Sequence, residues 1–468
     1  MIIAMNNIKQ LISSLHLRLS DLFLVLGFIP MTIFLLYGQV FMQYPDPGDV
    51  SLKLEMIIPL FLFLIVSWGL YLFLEFKNGT KVSTAIIYVF VFLALMGIIG
   101  ISIQPQLFEI DTINKDESLV HVSMTISATH YIFFSFDLIS IFLLIFIGLF
   151  VLPKRFSSIK PIQFAGYFVF LLCFVLIICS VIIEHDNYIP FIKSVFERDI
   201  EAMSLYASKS IIIHKNAYGM TLLLGTIFCL INHSIEKRWA YFPLYIFFYI
   251  NMIFTYCRTS LLISPILFLI YIYYFLIKDF GTSKKARVSF IILSSLILCF
   301  VSLFLVVIIT KGAILKPLYL LIDALKNGES IDSREWIWNN TYYLINQNLP
   351  LSLIFGRGFG LMNEMLLPIN IANWFGGLSF PTHNGYLNLF AEGGFICLFA
   401  YLALLGYATY IAIKSFKKNS STTLAIMLGL LSFVFYSLIE TIHYLTYVFM
   451  FVLFALYNIV SKQCESNS

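Results

Sequence analysis

The sequence predicts an all-α membrane protein that crosses the bilayer about twelve times, and three observations predict it. Hydrophobic residues make up 60% of the chain and charged residues 12%, with a mean hydropathy of +0.92. A soluble domain carries about 25% charged residues. Apolar runs of roughly 17 to 25 residues, the length that spans a hydrocarbon core, recur from one end of the chain to the other. The Lys and Arg residues between those runs gather on alternate loops. The 468 residues therefore read as a single polytopic membrane domain without a sizeable soluble appendage.

The apolar runs place helices near 21–41, 56–75, 84–103, 130–152, 162–183, 216–233, 240–257, 261–277, 288–310, 386–413, 422–439 and 445–460. The first is long enough to span and is followed by no small-residue cleavage site, so it reads as a helix and not as a signal peptide. Of the seven cysteines, Cys173, Cys179, Cys229, Cys299 and Cys397 fall within apolar runs, Cys257 ends one and Cys464 lies in the C-terminal tail. No loop expected outside holds a pair that could bridge, so neither a disulfide framework nor a zinc site is expected.

Loop charge sets the orientation. One set of short loops, with residues such as Lys77, Lys81, Lys154, Arg155, Lys237, Arg238, Lys284, Lys285, Lys417 and Lys418, holds about 17 of the 29 Lys and Arg and about 5 acidic residues. The other set holds the remaining basic residues and about 20 acidic ones in longer loops. Inside-positive bias then puts both termini in the cytoplasm. Three outward segments are long, at 104–129, 184–215 and 311–385. The last, between the ninth and tenth helices, is expected to fold as a partly helical periplasmic cap over a site, because structureless loops of that length are uncommon.

The large loop has readable order. Leu315 to Leu325 shows a helical pattern ended by Asn327 and Gly328. Asp332 and Ser333 offer N-caps for a second helix from Arg334 to about Asn346, with Arg334 and Trp338 on one face. Phe355-Gly-Arg-Gly-Phe-Gly360 follows, either a plain tight turn or one whose amides and Arg357 approach an anion.

Several stretches resemble the O-antigen polymerase and O-antigen ligase superfamily of bacterial envelope glycan enzymes. Pro381-Thr-His-Asn-Gly-Tyr-Leu-Asn-Leu-Phe-Ala-Glu-Gly-Gly394 is similar to the family's His-Asn element followed by Gly-x-x-small, with Cys397 where Gly is frequent. Arg258-Thr-Ser260 resembles the Ser-Arg element, with Cys257 in place of Ser, and Arg334-Glu-Trp-Ile-Trp338 resembles the Arg-x-x-x-Leu/Trp element. His214-Lys-Asn-Ala-Tyr-Gly219 is similar to a His-Lys-Asn segment of exopolysaccharide polymerases. The resemblance runs from about residue 211 to 445 and implies a GT-C-like architecture and metal-free glycosyl transfer from an undecaprenyl-pyrophosphate-linked oligosaccharide.

Such a donor develops charge on its leaving phosphate, so fixed cations are what the reaction needs. Arg258 and Arg334 are the expected catalytic cations, since guanidinium grips phosphate oxygens bidentately. The blander readings are that Arg258 snorkels from a helix end and that Arg334 pairs with Glu335 or Asp332. His383, just before a helix whose N-terminal dipole disfavours added positive charge, is the expected general base, or else a surface cap. His214, Lys215, Asn216, Arg357, Asn384 and Glu440 are the expected substrate contacts. For His214 and Lys215 interfacial anchoring is the alternative, for Asn384 helix capping, and for Glu440 a solvated turn. Asp137 is the notable charge within an apolar run, and intramembrane carboxylates are functional by default or pair with a neighbouring helix. Glu109-Ile-Asp111 has a metal-binding spacing, but acidic pairs are frequent in outer loops, and no metal or other cofactor is expected.

The leading expectation is a polymerase in the bacterial inner membrane that passes a growing glycan from undecaprenyl pyrophosphate to a hydroxyl of the next lipid-linked unit. A ligase that passes the glycan to lipid A core or to a protein is the alternative, and these residues do not separate the two acceptors. The rival from another class is a flippase for the same lipid. Transporters, however, show two similar halves and midplane charges. The expected partners are the lipid-linked oligosaccharide, the bilayer and a chain-length regulator protein, with no nucleic acid.

Overall fold

The computed structural model describes residues 18–41, 54–103, 107–113, 119–125, 128–156, 160–197, 199–212, 215–280, 338, 341–342, 345–346, 350–358, 384–416, 420–439 and 455. In chain order these form α1 (Leu19–Phe41), α2 (Leu54–Lys77), α3 (Thr84–Ser102), β1 (Leu107–Ile113), β2 (Leu119–Thr125) and α4 (Ala128–Phe146). There follow α5 (Lys160–Ile183), α6 (His185–Glu197), α7 (Ile200–Leu205), α8 (Lys215–Glu236), α9 (Tyr241–Thr255) and α10 (Arg258–Phe280). A short α11 (Leu351–Phe355), α12 (Gly385–Phe416) and α13 (Ser420–Ile439) complete the described chain. Two compact units result, one from 1–161, 334–411 and 433–468, the other from 162–333 and 412–432.

Eight of the helices are long and apolar enough to cross a membrane, so the chain is an all-α multi-pass membrane protein. They coincide with eight of the expected spans. The expected 21–41 and 240–257 fall on α1 and α9, whereas 288–310 and, apart from Ala455, 445–460 lie outside the described residues. Large apolar side chains such as Tyr88, Leu171, Ile182 and Phe399 are exposed, an arrangement that only a lipid surround makes favourable.

Two outward segments carry more order than their sequence suggested. In 104–129, β1 pairs antiparallel with β2, and Glu109 and Asp111 face Ser123 and His121 in the register. In 184–215 the chain forms α6, α7 and a single 3-10 turn at Ser210–Ile212. The expected cap at 311–385 lies mostly outside the described residues. Within it Trp338, Thr341, Tyr342, Ile345 and Asn346 are helical, as the expected second loop helix requires.

The first unit is tied at one end by buried ions. Arg155, in the turn that extends α4, contacts Asp21 at the start of α1 at 2.8 Å and Glu75 near the end of α2 at 3.8 Å. Arg18 reaches the same Glu75 at 3.3 Å, and Ser20 and Thr80 donate to its two oxygens. Two arginines thus neutralise two carboxylates where three helix ends meet, so each buried charge has a counter-charge. The pairing also requires α1 to run opposite to both α2 and α4, as successive crossings with α3 between α2 and α4 would have it.

In the second unit α8 is the central helix, buried without interruption from Tyr218 to Ser234. Small residues let its neighbours approach. A Cβ on Gly225 would lie 2.8 Å from Cys173 Sγ of α5, and one on Gly219 would lie 2.4 Å from Cys257 Cβ at the start of α10. The beginnings of α8 and α10 are therefore in direct contact.

Candidate functional site

Two helix starts meet in the second unit, and each opens with a cation. Lys215 begins α8 and Arg258 begins α10. This placement opposes the usual preference, because the partial positive charge at a helix N-terminus favours Asp or Glu and disfavours Lys or Arg. Both cations converge on Tyr256, the first of the two residues between α9 and α10. Lys215 Nζ stands 5.5 Å and Arg258 Cζ 5.1 Å from the centre of its ring, so the two charges are at most about 11 Å apart. Cys257 Sγ donates to the Asn216 carbonyl at 3.9 Å and closes the junction between the two helix starts.

Tyr256 has a left-handed backbone, with φ 51° and ψ 26°, and ends α9 where Gly or Asn is the usual residue. A side chain in that conformation costs about 1 to 2 kcal/mol. What holds the ring is a small apolar cluster formed by Phe191 of α6, Met203 of α7 and Ala207, with Val195, Tyr206 and Phe254 packed around it. Tyr256 is 6% exposed, whereas Arg258 is exposed. Among the described residues the Arg258 guanidinium makes no hydrogen bond or ion pair, and the ring is its contact. Lys215 also donates to Ser204 Oγ of α7.

The segment leading into α8 is clamped by Glu184 at the end of α5. Its carboxylate accepts from Ser208 Oγ at 2.6 Å, from the Lys209 amide at 2.9 Å and from the Ser210 amide at 3.0 Å. Ser210 is left-handed, with φ 55°, and its hydroxyl donates to the Leu176 carbonyl. The chain approaching residue 214 is thereby fixed against α5.

In the first unit, α12 is broken at Gly394 (φ 62°, ψ −164°). The break interrupts the ladder and frees carbonyls of the preceding turn. The Gly356–Gly358 turn supplies the missing donors: the Arg357 amide donates to the Ala391 carbonyl at 2.7 Å and the Gly358 amide to the Glu392 carbonyl at 3.0 Å. The backbones touch so closely that a Cβ on Gly356 would lie 2.2 Å from the Glu392 carbonyl carbon, and one on Gly394 2.3 Å from the Ile354 oxygen. The glycine pattern of this turn is therefore a plug in a helix break, and its amides are taken up by carbonyls and not by an anion. Arg357 itself is 2% exposed, and burial pushes its guanidinium down to about 10, still charged at neutral pH.

The fate of each expected site residue is plain. Arg258, Lys215 and Asn216 come together at the two helix starts. Arg357 and Asn384 belong to the first unit, and Asn384 caps α12, its Oδ1 accepting from the Tyr386 and Leu387 amides at 3.0 Å each. His383, Arg334, His214 and Glu440 lie outside the described residues. Asp137 lies half-buried on α4 without an ion pair or hydrogen bond among the described residues.

Four residues of these two regions were missed from the sequence. Tyr256 carried a signal in its position directly before Cys257-Arg258, and Glu184 was the first charge after a span. Asn388 and Glu392, both fully buried and one turn apart on α12, stood in the sequence as polar residues within an apolar run.

Two cations at converging helix starts and eight long apolar helices define a class: a multi-pass helical membrane protein with positive charge gathered where two helices begin. Residues 243–402, about a third of the chain, match the family described as O-antigen ligase. The matched stretch contains Arg258, Arg334, Arg357, His383 and Asn384. No curated protein matches the chain.

Proposed function

We propose that the protein is an inverting, metal-independent glycosyltransferase of the bacterial inner membrane, with both termini in the cytoplasm. It polymerises lipid-linked oligosaccharide repeat units on the periplasmic face. The observation that carries this reading is the convergence of Lys215 and Arg258 on one ring at two helix starts, a concentration of positive charge that suits the diphosphate of undecaprenyl pyrophosphate.

The chemistry then divides among a few groups. The diphosphate of the donor lies against Arg258 and Lys215, and Arg334 and His214 are further residues expected to act on it. A hydroxyl of the incoming unit attacks C1 of the donor sugar from the side opposite the diphosphate. Its proton passes to a neutral imidazole, the role expected of His383. The C1–O bond breaks, its electron pair leaves with the diphosphate, and the cations stabilise the charge that develops there. Asn216, Arg357 and Glu440 are the further substrate contacts proposed, and the 311–385 loop is the proposed cap. A chain-length regulator protein is the expected protein partner.

The second reading is transfer of the finished glycan to lipid A core or a protein, and the description of the matched family favours it. Purified protein given lipid-linked repeat units distinguishes the cases. A ladder of products supports the polymerase, transfer only upon addition of lipid A core supports the ligase, and the absence of any covalent product points to a flippase and overturns both.

A further inference from the structure

We propose that Tyr256 is a positioning residue whose ring face, and not its hydroxyl, holds Arg258 and Lys215 in place for one diphosphate. This inference rests on the reading of the site given above. Arg258 is exposed and begins a helix, where the backbone dipole opposes its charge, so a fixed orientation needs a partner. A carboxylate would supply one, but it would also neutralise the guanidinium and compete with an incoming phosphate. An aromatic face orients a cation by its quadrupole while leaving the N–H donors and the full charge available.

Three features fit this role and a plain core tyrosine does not explain them. The ring stands on a left-handed backbone that disfavours a side chain. Two cations from different helices, 43 positions apart in the chain, share it at 5.5 Å and 5.1 Å. The hydroxyl is buried and has no hydrogen-bond partner among the described residues, so it contributes nothing visible to the fold. The apolar cluster of Phe191, Met203 and Ala207 fixes the ring from below. The platform is thus stiff where it must hold two flexible side chains.

The test is binding of undecaprenyl diphosphate to the full chain in nanodiscs, with inorganic pyrophosphate as the second probe to separate lipid anchoring from diphosphate recognition. Tyr256→Phe keeps the ring and should bind within about twofold of the parent. Tyr256→Leu should bind roughly five- to tenfold more weakly. Because the leucine variant risks losing the cluster beneath it, a graded series is the sharper measurement: phenylalanine at 256 carrying one, two and then three fluorines. These rings keep their shape while the quadrupole weakens, so affinity should fall stepwise with unchanged melting temperature. Equal affinity across the series overturns the inference, as does a loss with Tyr256→Phe as large as with Tyr256→Leu. If the parent chain fails to bind either probe, it is the reading of the site that fails instead.

Discussion

Arg155 and Arg258 are both arginines at helix ends, yet their surroundings are opposite. Arg155 is buried between two carboxylates, 2.8 Å from Asp21 and 3.8 Å from Glu75. Arg258 is exposed, meets no acid among the described residues and rests on a ring. The first has its charge cancelled by the fold, and the charge of the second stays uncancelled among the described residues. Under the proposed function, the nature of the partner separates the two roles: a carboxylate consumes the cation, whereas a π face only aims it. Arg357 is a third case, buried beside a turn whose backbone repairs a broken helix.

Exchanging the two arginines for alanine should break the comparison in opposite directions. Arg155→Ala leaves Asp21 and Glu75 buried with less than their counter-charge, at a cost of about 3 to 5 kcal/mol. Its melting temperature in detergent should fall steeply, while the protein that remains folded keeps its specific activity. Arg258→Ala should lower glycan chain growth by about 10²- to 10³-fold with an unchanged melting curve. An Arg258→Ala protein that unfolds, or that still makes full ladders, would show that its charge is structural after all.

A smaller effect probes the third arginine through its neighbour. Gly356→Ala puts a methyl against the Glu392 backbone at a left-handed position, and about 2 to 4 kcal/mol of destabilisation is expected. Thermal unfolding should register the loss, and a melting curve like that of the parent would deny the close backbone contact at the α12 break. The smallest change is Asn384→Ala, which removes an N-cap worth about 1 kcal/mol. Its signature should be a modest fall in activity, since the cap sets the helix start that follows His383.

The spans were legible because lipid solvation writes itself into long apolar runs, and eight of the expected helices coincide with observed ones. Loop charge gave the alternation that the Arg155, Asp21 and Glu75 contacts require. The hairpin at 107–125 was not legible, since its strands are short and lie between spans that dominate any hydropathy pattern. Arg258 was expected at the outer end of a helix and Lys215 at a helix start, but their meeting at Tyr256 was not legible, because nothing in a linear pattern reports a left-handed turn carrying an aromatic ring. The Gly356–Gly358 stretch left a plain tight turn and an anion-approaching turn both open, because glycine signals only that backbones come close. Its partner turned out to be the broken helix, read from the sequence as an uninterrupted span.

The central claim is that the cations of two helices act on one group. A double-mutant cycle on undecaprenyl diphosphate affinity, with Lys215→Ala, Arg258→Ala and the pair together, addresses it directly. The account predicts that each single change weakens binding and that the double variant is far less impaired than the product of the two. If the losses multiply as for independent positions, or if Lys215→Ala has no effect, the shared site does not exist.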